Sequence, residues 1–488
     1  MAKIEHVFVL MLENRSFDHF FGLSGLPGVA PPPVSFGFKK GATDRLSQDP
    51  PHEFADVKKQ IAGGAMTGFA ASASTGNMLG FDPADLPVVM SLAREYLLMD
   101  NWFSSMPGPT WPNRFFAHAA SSGGLDDSPA GNDAADAVYR PDKYFEIEHG
   151  HLFDRLTAAG KTWRVYHGDR PQVLALQGMV SAYSGFSHPL FRSTTKLASD
   201  LKSKDAAAYT WIEPTYAPLS RFDGDSQHPL GSVRAGEALI KMVYNAIRQS
   251  DLWSSSLLVV TWDEHGGFFD HVRPPEAKPP GDRPLSFTRG SPGGDCKFNT
   301  LGPRVPAILI SPWLPQGLGS VVFPKKGFDH SSIVASVRSH FGLPTPLTDR
   351  DANAPDWTSA LIGSPRATLG PLTMKVPVLA RSVLAKPNLR RVQDPPPVNL
   401  GGFLQIAKSV DFELAKLNGT APLASTTHLK ALADADVILK RGRSTVRDKA
   451  VAHRALLRYI AAVDQKEALA RRRVKRRGSV TASPARQL

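Results

Sequence analysis

Two apolar runs limit what this chain can fold into. Ile4 to Leu12 is mostly apolar, with Glu5 and His6 near its start, and Ser256 to Trp262 is its counterpart in the second half of the chain. Each reads as a β-strand buried on both faces, the pattern of a largely parallel sheet. A third strand at Val305 to Ile310, and others at Leu97 to Phe103, Thr162 to Tyr166 and Tyr209 to Glu213, alternate with helical stretches at Leu86 to Tyr96, Leu152 to Ala159 and Glu237 to Ser250. This alternation indicates an α/β fold.

In open α/β sheets the functional loops gather at the carboxyl ends of the strands. The first run ends in Glu13, Asn14, Arg15, Ser16 and Asp18, and the second in Asp263-Glu264-His265-Gly266-Gly267-Phe268-Phe269-Asp270-His271. Glu13 and Asn14 are oxygen ligands by type, or else part of a polar turn in which Ser16 or Asp18 caps a helix. In the second cluster neighbouring carboxylates repel unless a cation lies between them, so a divalent metal is the simplest account, set against a solvated acidic loop. Cys296 is the lone cysteine, which excludes an internal disulfide and a thiolate-rich metal site. Any metal must be held by oxygen and imidazole.

Between these runs lies Ser105-Met106-Pro107-Gly108-Pro109-Thr110-Trp111-Pro112-Asn113-Arg114. Thr110 is either a nucleophile on a rigid backbone path or an ordinary threonine in a Pro-rich turn. As a nucleophile it needs a base or a metal to lower its pKa. A helix is predicted over Arg114 to Ala120, its free amides aimed at an anion near Thr110. Residues 24–53 form a loop long enough for a substrate lid, ending in Asp49-Pro50-Pro51-His52-Glu53-Phe54. On local sequence His52 either faces the site or, the favoured reading, lies at the surface, and His167 and His228, outside the regular elements, are either site residues or, the favoured reading, solvated loop histidines. Phe328-Asp329-His330-Ser331-Ser332 opens a helix capped by Ser331 or Asp329.

The net charge of +12 is concentrated near the end, at Arg471, Arg472, Arg473, Lys475, Arg476 and Arg477. Such a segment binds an acidic partner, an anionic membrane surface or nucleic acid, or is simply a solvated basic helix end, the favoured reading. No apolar run spans a bilayer and no leader precedes the first strand, which points to a cytoplasmic protein or one exported without a recognisable N-terminal signal. The expected organisation is a catalytic domain over 1–385, a Pro-rich linker or strap over 386–402, and a helical basic segment over 403–488. That segment carries helices at Phe403 to Leu417, His428 to Lys440 and Val446 to about Arg473.

Taken together, the strand-end clusters resemble the bacterial phosphoesterase family that contains phospholipases C and an acid phosphatase, within the alkaline-phosphatase superfamily. The resemblance rests on His6 to Gly22, Pro107 to Arg114 and Asp263 to His271, with weaker likeness at Asp49 to Phe54, Ser226 to Pro229 and Phe328 to Ser332. It implies a three-layer α/β/α sandwich with a mainly parallel central sheet. It also implies that Thr110 attacks phosphorus through a phosphothreonine intermediate, and that Glu13, Asn14, Asp263 and Glu264 surround one divalent ion. Oxygen ligands suit calcium, magnesium or manganese, and histidines would admit zinc. His52, His167 and His228, with Asn113 and His330, are the implied binders of phosphoryl oxygens.

A threonine followed by an aromatic residue, Pro and Asn is similar to the phospholipase C pattern, so the favoured substrate is a phosphodiester, a phospholipid head-group ester foremost. The alternatives are an acid phosphatase acting on monoesters and a non-catalytic binding module. The twin-arginine leader usual in the family's secreted phospholipases C is missing, and the helical segment after Gly402 does not resemble their β-rich C-terminal modules.

Overall fold

The computed structural model describes residues 4–72, 76–129, 145–184, 190–218, 222–284, 296–324, 327–367, 400–423 and 446–480. Along the chain the strands are β1 (His6–Leu12), β2 (Lys39–Lys40), β3 (Leu79–Gly80), β4 (Leu97–Leu98), β5 (Trp163–His167), β6 (Phe191–Ser193), β7 (Tyr209–Glu213), β8 (Ser256–Trp262), β9 (Ala307–Ile310) and β10 (Gly317–Leu318). Eight of them form one sheet in the order β10-β4-β9-β8-β1-β7-β5-β6, and β2 pairs with β3 apart from it. β9 runs antiparallel to both its neighbours, β8 and β4, while the other pairings of the sheet are parallel. β9 is the next sheet strand after β8, and an antiparallel neighbour needs no crossover helix. The mainly parallel α/β sheet expected from the sequence is present.

Every residue of β8, and all of β1 except its first, is buried, as two-sided packing requires. The helices fall into two groups that pack among themselves. Pro87–Glu95 and Leu197–Lys202 both meet Val233–Arg248, whereas Thr110–Ala119 meets Leu152–Ala158 and Ser331–Phe341. The strand expected through Phe103 stops at Leu98, because Asp100 turns aside to accept hydrogen bonds from the Ser320 amide (2.7 Å) and hydroxyl (2.5 Å). Trp102 and Phe103 keep only single bridges, to Phe328 and Arg304.

The chain divides into two compact units, one of Met1–Ser128, Ile147–Pro171 and Phe191–Ala385, the other of Pro129–Glu146, Gln172–Leu190 and Lys386–Leu488. The second unit thus draws in two segments that the sequence reading placed inside the catalytic domain. Within it, Leu400–Asn418 packs on Met179–Ser184 and on the long helix Val446–Val480. Buried charges there are answered locally: Lys466 pairs with Asp411 at 2.7 Å, and Tyr459 donates to the same carboxylate at 3.0 Å. Arg471, read as part of a free basic end, pairs with Glu467 at 2.9 Å and lies over the Tyr183 ring. Most of the linker and the helix expected over His428 to Lys440 lie outside the described residues. Among the described residues no helix is long and apolar enough to cross a membrane.

Candidate active site

Register brings the two strand-end clusters together. Leu12 stands opposite Trp262, so Glu13 and Asp263 leave the sheet side by side. Asn14 takes a left-handed conformation (φ 59°), which asparagine tolerates better than most residues, and its N–H donates to Asp263 Oδ1 at 2.9 Å. Its side-chain Nδ2 donates to Thr110 Oγ1 at 3.0 Å and meets Glu264 Oε1. One asparagine therefore joins both clusters to the candidate nucleophile. Glu13, Asn14, Thr110, Asp263 and Glu264 are all fully buried.

The helix starts at Thr110, not Arg114. Pro109, in extended conformation, occupies the N-cap, and Pro112 is accommodated in the first turn, where amides have no intrahelical acceptor. Arg114 ties this helix to the strand ends. Its Nε donates to Asp263 Oδ2 (2.9 Å), its Nη2 to the Leu12 carbonyl (3.0 Å), and its guanidinium lies over Tyr216. Burial opposes its charge, but Tyr216, Asp263 and Glu13 hold it protonated.

Two expected phosphoryl binders have other work. Asn113 donates to the carbonyls of Gly108 (2.9 Å) and Pro109 (3.0 Å) and accepts from the Met106 amide (3.1 Å), so it staples the turn before Thr110. His330 has both ring nitrogens engaged: Trp102 donates to Nδ1 (3.3 Å), and Nε2 donates to the Asp263 carbonyl (2.5 Å). Burial keeps it neutral, with a pKa pushed down to about 4. It fills the N-cap position of Ser331–Phe341 without capping it. Neither proposed cap does so, and Asp329 is instead paired with Arg350 at 2.8 Å.

His52 and His228, expected at the surface, are buried, and near His228 the 24–53 loop is tied down by hydrogen bonds from Leu46 N to the Pro229 carbonyl and from Val233 N to the Asp44 carbonyl. His52 donates through Nδ1 to the Pro50 carbonyl (2.6 Å), which leaves Nε2 3.8 Å from Glu264 Oε1. Burial alone would lower its pKa, but Glu264, Asp49 and Glu53 outweigh it and push the imidazole up to about 9. The neighbouring Glu264 stays ionised below its ordinary range, since His52 and His265 overcome the cost of its burial. His228 is the opposite case. Its Nδ1 accepts from the Leu230 amide (3.3 Å), so the proton sits on Nε2, 3.5 Å from Asp49 Oδ2. Burial, His52 and Arg15 hold it neutral. His167 is not in a loop: it ends β5, separated from β1 by β7, roughly 10 Å across the sheet. It is half-buried there, its Nδ1 against the Asp169 carbonyl (2.6 Å).

Asp49 and Arg15 were not singled out by sequence, although both lie within the family-like segments. Arg15 donates to the carbonyls of Gln227 (2.8 Å) and His228 (3.2 Å), fixing the loop that carries His228. Ser16, by contrast, does cap, accepting from the His19 amide (3.2 Å). Gly266 (φ 63°) and Gly267 (φ 72°) let the loop after β8 pass between other site segments. A Cβ on Gly266 would lie 2.3 Å from the Asn14 carbonyl oxygen, and one on Gly267 2.7 Å from Pro51 oxygen.

The donor set suits a hard cation in part. Asn14 Nδ2 faces two oxygens, while its buried Oδ1 has no hydrogen-bond partner among the described residues. With the amide turned about, three oxygens from Asn14, Thr110 and Glu264 would converge, as calcium, magnesium or manganese requires. Asp263 spends both oxygens on Asn14, Glu264 and Arg114. Among the described residues no three His, Cys, Asp or Glu side chains are grouped as a metal site.

Residues 4–344 match the sequence profile of the phosphoesterase family. The chain belongs to that family. This phosphoesterase is 35% identical over 385 residues to non-specific phospholipase C6 of Arabidopsis thaliana, covering 72% of this chain and 71% of that one. It is 28% identical over 424 residues to phospholipase C B of Mycobacterium tuberculosis, covering 74% and 78%. Among solved structures, a Vibrio parahaemolyticus protein of the alkaline phosphatase superfamily aligns over 73% of this chain and 71% of its own at 10% identity, with a TM-score of 0.36. The protein is a phospholipase C-like hydrolase of phosphoric esters.

Proposed function

We propose that this phosphoesterase cleaves a phosphodiester, a phospholipid head-group ester foremost, with Thr110 as nucleophile. The observation that carries the reading is the Thr110 hydroxyl held by Asn14 at 3.0 Å inside a fully buried cluster where β1 and β8 end. Thr110 Oγ bonds to phosphorus as the bond to the leaving alcohol breaks, and water then hydrolyses the phosphothreonine. Asn14 and Glu264, with Glu13, would hold the divalent ion beside the Thr110 hydroxyl, and Asp263 would join them by exchanging one of its present bonds to Arg114, Asn14 or Glu264. When bound, the ion would acidify the hydroxyl and offset charge on the phosphoryl group. His52, as a cation, and the Nε2–H of neutral His228 face the non-bridging oxygens. Asn113 and Arg114 fix the turn and the helix that present Thr110.

The balance of charge favours a diester. A monoester dianion needs more positive charge than a diester monoanion, and here His228 is held neutral while Arg114 is committed to Asp263. The test is hydrolysis of bis(4-nitrophenyl) phosphate against 4-nitrophenyl phosphate. The diester is expected to give the higher kcat/KM at neutral pH. A monoester preference that strengthens below about pH 6, where ordinary histidines gain charge, would establish the acid-phosphatase alternative instead.

A further inference from the structure

A cavity of about 630 Å³, within the size range of small-molecule pockets, is lined by Phe54, Pro107 and Arg273 among others. Three chain segments that carry site residues run on into its wall. Pro107 stands three residues before Thr110, at most ~11 Å along an extended chain. Phe54 follows His52 by two residues, and Arg273 belongs to the loop that begins at Asp263. Its base is apolar: Phe54 packs with Met106 and Phe116, and Phe298 lies against them. Its exposed rim is cationic, with Lys58, Arg273 and Lys297 against one carboxylate, Glu276. The Arg273 stem lies on the bare backbone of Gly64, where an added Cβ would come within 2.7 Å of Arg273 Cδ.

We propose that this cavity is a substrate subsite for the second alcohol of the phosphodiester, and that it takes a group with an apolar body and its own negative charge. The proposal rests on the phosphodiesterase reading above and adds the chemistry of the group beyond phosphorus. An apolar floor beneath three cations attracts a carboxylate or phosphate on a hydrophobic stem and repels a quaternary ammonium. A choline-type head group, which calls for aromatic faces and carboxylates around its cation, fits this rim poorly.

The test uses three soluble diesters that share 4-nitrophenolate as leaving group and differ in the other alcohol: benzyl, 4-carboxybenzyl and 4-(trimethylammonio)benzyl. With the full-length metal-loaded enzyme, kcat/KM is expected to fall from carboxylate to neutral to ammonium, over a span of about tenfold that narrows as salt rises. In a Lys58→Glu/Arg273→Glu/Lys297→Glu variant, altered only at exposed side chains, the order of the three substrates should invert. Equal rates for the three substrates, or an unchanged order in the variant, would overturn the cavity assignment and leave the phosphodiesterase reading standing. Hydrolysis of 4-nitrophenyl phosphate with none of the diesters cleaved would overturn both. The wild-type series and its salt dependence decide the matter even if the triple variant folds poorly.

Discussion

The same two sequence motifs build two buried charge clusters of opposite character. The later halves of the motifs, Asp18 from the first and Asp270-His271 from the second, meet on Arg304. Its Nη2 donates to Asp18 (3.0 Å), its Nε to Asp270 (2.9 Å), and His271 Nδ1 reaches Asp18 at 2.6 Å. The earlier halves, Glu13-Asn14 and Asp263-Glu264, gather around Thr110, and there, among the described residues, buried polar atoms remain without hydrogen-bond partners: Asn14 Oδ1, both oxygens of Asp49, His52 Nε2, His228 Nε2 and Arg114 Nη1. One cluster is closed and its charges answer one another. In the other, His52 Nε2 and His228 Nε2 stand 3.8 Å and 3.5 Å from Glu264 and Asp49 without closing hydrogen bonds to them, the looser arrangement of a binding site rather than of a structural clamp.

Breaking each cluster should therefore have a different signature. The largest effect is expected at the open one: Thr110→Ala should lose at least ~10³-fold in turnover with an unchanged far-UV spectrum and melting temperature, while Thr110→Ser keeps part of the rate. Near-normal turnover in the alanine variant would remove Thr110 from the mechanism. At the closed cluster, Arg304→Leu strands two buried carboxylates and should cost about 3–5 kcal/mol of stability in denaturant titration. The fraction still folded should turn over at close to the wild-type rate. A rate loss without a stability loss would erase the distinction between the clusters.

Smaller effects sharpen the contrast. Glu264→Gln keeps the shape and removes one charge, so it should lower both rate and bound metal, and elemental analysis of active wild-type protein should find a stoichiometric divalent ion. Asp49→Asn should slow catalysis yet stabilise the fold at pH 8 by about 1 kcal/mol. Burial pushes this carboxyl up to about 6, above its unfolded value even with His52 and Arg15 opposing, so its ionisation at higher pH costs stability that asparagine does not lose. The mildest signal is the alkaline limb of kcat/KM. His52 is raised, so its charged form persists at neutral pH and disappears as pH climbs through about 9. The rate should follow, and the limb should vanish in His52→Gln. A limb near pH 6.5, the ordinary histidine value, would mean that His52 is not the cation.

The strands were legible because burial on both faces writes itself into a run of apolar residues. β8 lies where its sequence placed it, and β1 differs only at its first residues. The residue types of the site were legible too, but their partners were not. Arg304 lies 34 positions beyond Asp270 and Arg350 lies 21 beyond Asp329, and nothing local marks either as the answering charge. The crowding of Asp263 to His271 looked like one metal cluster, whereas the fold divides it between two. The histidines were least legible, since the state of an imidazole is decided by what covers it. His330 is consumed by Trp102 and a carbonyl, and His52 and His228 are buried where their local sequence reads as surface.

Gly266 and Gly267 carry a consequence for how such a chain tolerates change. Where one is pressed against Asn14 and the other against Pro50 and Pro51, a side chain would move the residues that face Thr110 and His52 before it unfolded the sheet. A library randomised at these two codons and screened only for solubility should return many residues. One screened for turnover should return glycine alone. The pair would then act as a genetic filter set by function, in a loop whose acidic neighbours draw more attention.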